Sequence, residues 1–154
     1  MERTTEILII EDDRAEADLI LEMLSDIRKE QFSVHHVDYL AKGLELMKDR
    51  SFDCILVDLG LPDSRGLESA LSVRRQDPKV PIVVLTVLND EESALSSLQL
   101  DIQDYLIKGE INAAVLTRAI RYARQRKAVM EELREANNEL EASTIRWHMT
   151  CDSL

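Results

Sequence analysis

The chain has 154 residues, of which 45% are hydrophobic and 32% charged, a balance that supports one packed domain plus an appendage and excludes global disorder. Its net charge is −11, and the imbalance is local: residues 1–109 carry 12 basic and 23 acidic side chains, whereas residues 110–154 carry 7 of each. An acidic body excludes generic nucleic-acid binding, which works by neutralising phosphates, and suits a divalent cation or a basic partner.

The N-terminus enters a strand pattern without the apolar stretch of a signal peptide, and no apolar run approaches the length needed to cross a bilayer. A cytoplasmic protein without membrane contact is expected. Residues 6–10, 33–37, 53–57, 81–86 and 104–107 read as strands. They are rich in Ile, Val and Leu, and three are almost wholly apolar, as strands covered on both faces must be. Helical spacing falls between them at 14–29, 40–49, 66–76 and 91–99; in the first, Ala17, Ile20, Leu21, Leu24 and Ile27 line one face. No Asn-Gly or Asp-Gly hairpin turn joins the strands. Five βα repeats of this kind imply an α/β fold, a doubly wound parallel sheet of flavodoxin-like order 2-1-3-4-5.

From Ile111 a helical pattern without Pro or Gly runs to Trp147, further than one covering helix needs. Leu116, Ala123, Met130, Asn137 and Thr144 recur every seven residues, with Ala119, Arg126, Leu133, Leu140 and Trp147 in the companion register. This is an a/d seam, broken at Arg126 and regular from Met130 onward. The expected organisation is a domain over 1–125 and a helical extension over 126–154, pairing with a second copy as a coiled coil. The bland alternative is a solvated helix with scattered apolar residues. The basic stretch 118–127 reads as a solvated helix face, not a nucleic-acid surface.

In open α/β sheets reactive groups collect at the carboxyl ends of the strands. Here those ends carry Glu11, Asp12 and Asp13, then Asp58, then Thr86, then Lys108. Each alone has an ordinary explanation, since acids also favour helix N-termini and Asp13 is placed to serve as one. Asp53 and Asp63 are controls: the first opens its strand at the opposite edge, and the second follows Pro62 in a turn. Carboxylates forced together repel one another and call for a hard cation; Mg2+ takes such oxygens together with water and a phosphate. A lysine and a hydroxyl beside them suit phosphoryl oxygens. A carboxylate nucleophile, a metal and a lysine are the minimal parts for moving a phosphoryl group onto an aspartate. Cys54 and Cys151 have neither metal nor redox spacing, and His35, His36 and His148 form no ligand pattern, so no chemistry is expected of them.

The stretches Ile7-Leu-Ile-Ile-Glu-Asp-Asp13, Phe52-Asp-Cys-Ile-Leu-Val-Asp-Leu-Gly-Leu-Pro-Asp63 with Gly66, Pro81-Ile-Val-Val-Leu-Thr86 and Gln103-Asp-Tyr-Leu-Ile-Lys108 resemble the bacterial response-regulator receiver family over residues 5–125. The resemblance implies Asp58 as phosphoacceptor, Asp12 as direct Mg2+ ligand, Glu11 acting through water, and the Gly60 carbonyl completing the set. It implies Lys108 as the neutralising cation and Thr86 with Tyr105 as a switch pair. The donor would be a histidine kinase or histidine phosphotransfer protein. The output would run through the fourth helical segment, the fifth strand and the long C-terminal helix. Such a protein is a phospho-accepting signalling domain, not an enzyme beyond self-phosphorylation and autodephosphorylation.

Three departures stand out. Gly109 follows Lys108 where the family has proline, so a trans bond is expected there. Asp101 and Ile102 replace a common Gly-Ala pair, and the C-terminal helix is unusually long. A second functional class is a Mg2+-dependent phosphatase of haloacid-dehalogenase type; it requires a second aspartate two residues after the nucleophile, where this chain has Gly60. A flavodoxin-like nucleotide binder has no phosphate-cradling glycine pattern to support it.

Overall fold

The computed structural model describes residues 4–27, 31–64, 66–87 and 104–152. Five parallel strands, β1 (Thr5–Ile10), β2 (Phe32–Val37), β3 (Cys54–Asp58), β4 (Ile82–Thr86) and β5 (Asp104–Ile107), form one sheet in the order β2-β1-β3-β4-β5. This is the expected doubly wound order. Helices α1 (Arg14–Ser25), α2 (Leu40–Asp49), α3 (Glu68–Gln76) and α4 (Ala113–Asp152) complete the described elements. The expected helix at 91–99 lies outside the described residues.

Alternation along the strands sorts the core into two layers. Ile7, Ile9, Cys54, Leu56, Val83, Leu85 and Leu106 pack with Ile20 and Leu24 of α1 and with Leu116, Ala119, Ile120 and Ala123 of α4. Leu8, Ile10, Ile55, Val57, Ile82 and Val84 face the other way, onto Leu40 of α2 and Ala70 and Val73 of α3. Both faces of the central strands are therefore shielded, which is why those strands read as unbroken apolar runs. Each fully buried Ile, Leu or Val contributes about 1.5–3 kcal/mol relative to exposure. Gly43 sets how closely α2 approaches the sheet: a Cβ there would meet Ile10 Cδ1 at 2.6 Å.

Helix α1 ends at Ser25, earlier than its apolar spacing implies. At its end the Ser25 hydroxyl donates to the Glu22 carbonyl at 2.8 Å, and the Asp26 N–H closes the last helical bond onto the same carbonyl at 3.1 Å. Strand β3 is shifted by one residue from expectation, so that Asp58 ends the strand and Asp53 precedes it. Asp53 pins the opposite edge: its Oδ2 accepts from the Glu6 N–H at 2.8 Å. Arg124 of α4 donates to the Thr5 hydroxyl at 3.0 Å, fixing the long helix to the start of β1.

Candidate functional site

The strand order places β1 beside β3 at the point where the chain's winding reverses, the usual location of sites in such sheets. Glu11 leaves β1 with its N–H donated to the Val37 carbonyl at 3.0 Å, and its side chain is completely buried. Asp12 follows it and is exposed. Asp58 ends β3 at 4% exposure. Oxygen atoms of Glu11, Asp12 and Asp58 all lie within 4.8 Å of one another. Asp13 turns away to its helical duty, its Oδ1 accepting the Ala15 and Glu16 N–H groups at 2.9 and 3.4 Å.

Lys108 enters from the far side of the sheet. Its backbone N–H donates to the Thr86 carbonyl, 2.6 Å away, which aims the residue back across β4. The ammonium donates to Glu11 Oε1 at 2.9 Å and stands 3.1 Å from Asp58 Oδ1. Glu11 Oε2 is also 2.8 Å from the ammonium, yet it is buried without an aligned hydrogen bond. Burial pushes Glu11 up to about 7; Lys108 opposes the shift and the neighbouring Asp58 adds to it. Desolvation and then the Asp58 carboxylate also raise Asp12. For Lys108, burial works against the charge, but the bonds to Glu11 and Asp58 outweigh it and hold the group above the ordinary lysine range.

Three carboxylates facing one ammonium leave an excess of negative charge in a largely dry pocket. The all-oxygen donor set and the exposed position of Asp12 fit a hard divalent cation that keeps part of its water shell. Gly60 borders the same place, since a Cβ on it would lie 3.6 Å from Asp58 Oδ2. Thr86 ends β4 at 4% exposure. Val84 pairs with Tyr105 and Thr86 with Ile107, so Thr86 and Tyr105 share one sheet face a step apart. The Tyr105 ring packs, partly buried, against the core layer on the α2 and α3 side.

Among the described residues no peptide bond is cis, and Gly109 has φ +93°. Proline, held near −65°, cannot occupy that conformation, so the glycine after Lys108 goes with a differently shaped loop. Two contacts went unrecognised in the sequence. Asp63 accepts from the Leu40 and Ala41 N–H groups at the start of α2, at 2.8 and 2.9 Å. His36 Nε2 lies 2.8 Å from the Glu11 carbonyl oxygen and carries the proton if it donates there. Neither has a local signature, because each partner lies more than 20 residues away.

Residues 7–121 match the family model of the response regulator receiver domain. The cell cycle response regulator CtrA of Brucella ovis is 36% identical over 102 residues, covering 66% of this chain and 43% of CtrA. The chain thus spans less than half the length of the curated relatives it matches. Among solved structures, a sensor protein from Polaromonas sp. JS666 is 30% identical, with a TM-score of 0.70 over 80% of this chain and 98% of that one. A receiver-domain protein from Clostridium thermocellum shares the fold at 23% identity, with a TM-score of 0.72 over 82% and 98% of the two chains. The strand order, the acidic cluster and the family match agree: the chain belongs to the response regulator receiver domain family of two-component signalling.

Proposed function

We propose that Asp58 accepts a phosphoryl group from a histidine kinase or histidine phosphotransfer protein, with Mg2+ held by Asp12, Asp58 and the Gly60 carbonyl and, through water, by Glu11. The observation that carries this reading is the convergence of Glu11, Asp12, Asp58 and Lys108 at the carboxyl edge of the sheet. A carboxylate oxygen of Asp58 forms the new bond to phosphorus as the bond from phosphorus to the donor breaks, and the donor leaves with that electron pair. Bound Mg2+ supplies charge neutralisation for the transferring oxygens. Lys108, already 3.1 Å from Asp58 Oδ1, contributes a fixed ammonium beside the same oxygens. The Thr86 hydroxyl donates to a phosphoryl oxygen, and the Tyr105 ring turns inward into the space that the hydroxyl leaves.

The receiver-family match and the glycine at position 60 favour this signalling role over a haloacid-dehalogenase-like phosphatase. No helix among the described residues is long and apolar enough to cross a membrane. Incubation with acetyl phosphate should add one phosphoryl group per chain in Mg2+ and none in excess EDTA. Equal labelling in both contradicts the reading.

The long helix supports a second element of the proposal: a receiver unit over residues 1–125 followed by a helix that pairs with a second copy. Leu116, Ala119 and Ala123 of the heptad stripe are buried in the receiver core, whereas Met130, Leu133 and Leu140 are 41%, 70% and 66% exposed. From Gln125 to Leu140 every described side chain except half-buried Glu131 is exposed. A parallel pair takes these apolar residues out of water and lets Asn137 hydrogen-bond to its counterpart.

A further inference from the structure

The end of β2 and the start of α2, separated by only two residues, each bond to chain next to the acidic site. On one side, Val37 and His36 hold the backbone of Glu11, through its N–H at 3.0 Å and its carbonyl at 2.8 Å. On the other side, α2 lacks a cap of its own: Tyr39 precedes it without a side-chain bond, and its first turn has no acidic residue. Asp63 supplies both missing bonds, one carboxylate oxygen to the Leu40 N–H at 2.8 Å and the other to the Ala41 N–H at 2.9 Å.

Asp63 belongs to the loop that leaves Asp58. That loop is pinned at its start, where the Leu59 N–H donates to the Leu85 carbonyl at 3.1 Å and the Leu59 carbonyl accepts from Gly66 at 3.0 Å. Leu61 is buried at 5% exposure. Between these anchors lies Gly60, beside the Asp58 carboxylate. Glycine has the greatest backbone freedom of any residue, so its carbonyl is only as well placed as the anchors around it.

We propose that Asp63 is a positioning residue for the metal site: by seating both carboxylate oxygens on the start of α2, it fixes residues 59–63 and so the direction of the Gly60 carbonyl. The inference rests on the reading of Glu11, Asp12, Asp58 and Gly60 as the Mg2+ site. Asp63 touches no ligand; it acts through the loop and ties that loop to the same junction that holds Glu11. Partners that orient metal ligands in this way typically change metal affinity by about 10–100-fold when removed.

The alternative is that Asp63 is only a helix cap, and two variants separate the roles. Asp63→Ala removes cap and tether together. Adding Tyr39→Ser places a local capping hydroxyl in an extended position suited to it, restoring the cap without the tether. The full chain, freed of metal, is titrated with Mg2+ by calorimetry and by the Gly60 amide resonance, and its melting temperature is measured in EDTA. Asp63→Ala should lower the melting temperature and weaken Mg2+ binding about tenfold or more. The double variant should regain the melting temperature and keep the weak binding. Mg2+ affinity unchanged in Asp63→Ala, or restored in step with stability in the double variant, overturns the proposal. Wild-type protein that binds no Mg2+ removes the metal-site reading itself and this inference with it, and the wild-type arm distinguishes that failure from the others.

Discussion

Lys108 and Glu11, 97 residues apart in sequence, meet as an ion pair at 2.8 Å with side chains only 8% and 0% exposed. The same ammonium reaches Asp58, so one cation holds together the two central strand ends. Removing it strands two buried carboxylates. Lys108→Ala should therefore destabilise the metal-free chain by about 3–5 kcal/mol above about pH 7, where Glu11 is charged. Mg2+ should recover part of that loss. Chemical denaturation with and without Mg2+ measures both, and a loss below about 1 kcal/mol contradicts the assigned pairing.

The pH dependence follows from Glu11. Its ordinary value of 4.5 is raised in the fold to about 7, so the folded chain holds a proton that the unfolded chain has released. For this group stability is greatest below 4.5 and declines as pH rises to about 7. The upward shift of Asp12 acts in the same sense. Lys108, raised from 10.5, stays charged throughout this window and adds a constant contribution. The melting temperature of metal-free protein should fall between about pH 5 and pH 8. Glu11→Gln should flatten that fall, and saturating Mg2+ should oppose it, since the cation binds the charged form. A profile that rises over the same range, or that Glu11→Gln leaves unchanged, counts against this charge arrangement.

Thr86 and Tyr105 share a sheet face, one step apart along paired strands. If the hydroxyl reports the phosphoryl group, a beryllofluoride mimic (a stand-in for phosphoryl on Asp58) should bury the Tyr105 ring further. Thr86→Ala should keep labelling of Asp58 but lose the ring movement. Fluorotyrosine NMR at position 105 reads it directly, and identical spectra with and without the mimic contradict the switch.

The exposed stripe on α4 makes a separable claim. Burying Met130, Leu133 and Leu140 against a second copy should yield a dimer, at about 25 cal/mol per Å2 of apolar surface removed from water. Sedimentation should give a dimer for the full chain and a monomer for a version ending at Lys127. A full-length monomer at tens of micromolar defeats the pairing and leaves the receiver assignment intact.

The sheet was legible because its central strands are apolar on both faces, which forces helices above and below and leaves few possible orders. The acidic site was legible for a related reason: strand ends are fixed points, so Glu11, Asp12, Asp58, Thr86 and Lys108 could be placed once the order was known. The end of α1 at Ser25 was hidden because neither glycine nor proline marks it and the apolar spacing continues to Ile27. The role of Asp63 was hidden differently. As a turn residue after Pro62 it carries no periodic signal, and the helix it caps begins 23 residues earlier. Likewise His36 gains its partner only when β2 lies against β1. Contacts of this kind belong to the assembled fold and leave no trace in spacing.

The most direct test of the central claim is to locate the phosphoryl group. Wild-type protein, Asp58→Asn and Asp53→Asn are incubated with acetyl phosphate and Mg2+, trapped by borohydride reduction and mapped by tandem mass spectrometry. The account predicts one modified residue, Asp58, in wild type and in Asp53→Asn, and none in Asp58→Asn. Modification at Asp12 or Asp53, or undiminished labelling of Asp58→Asn, would contradict it.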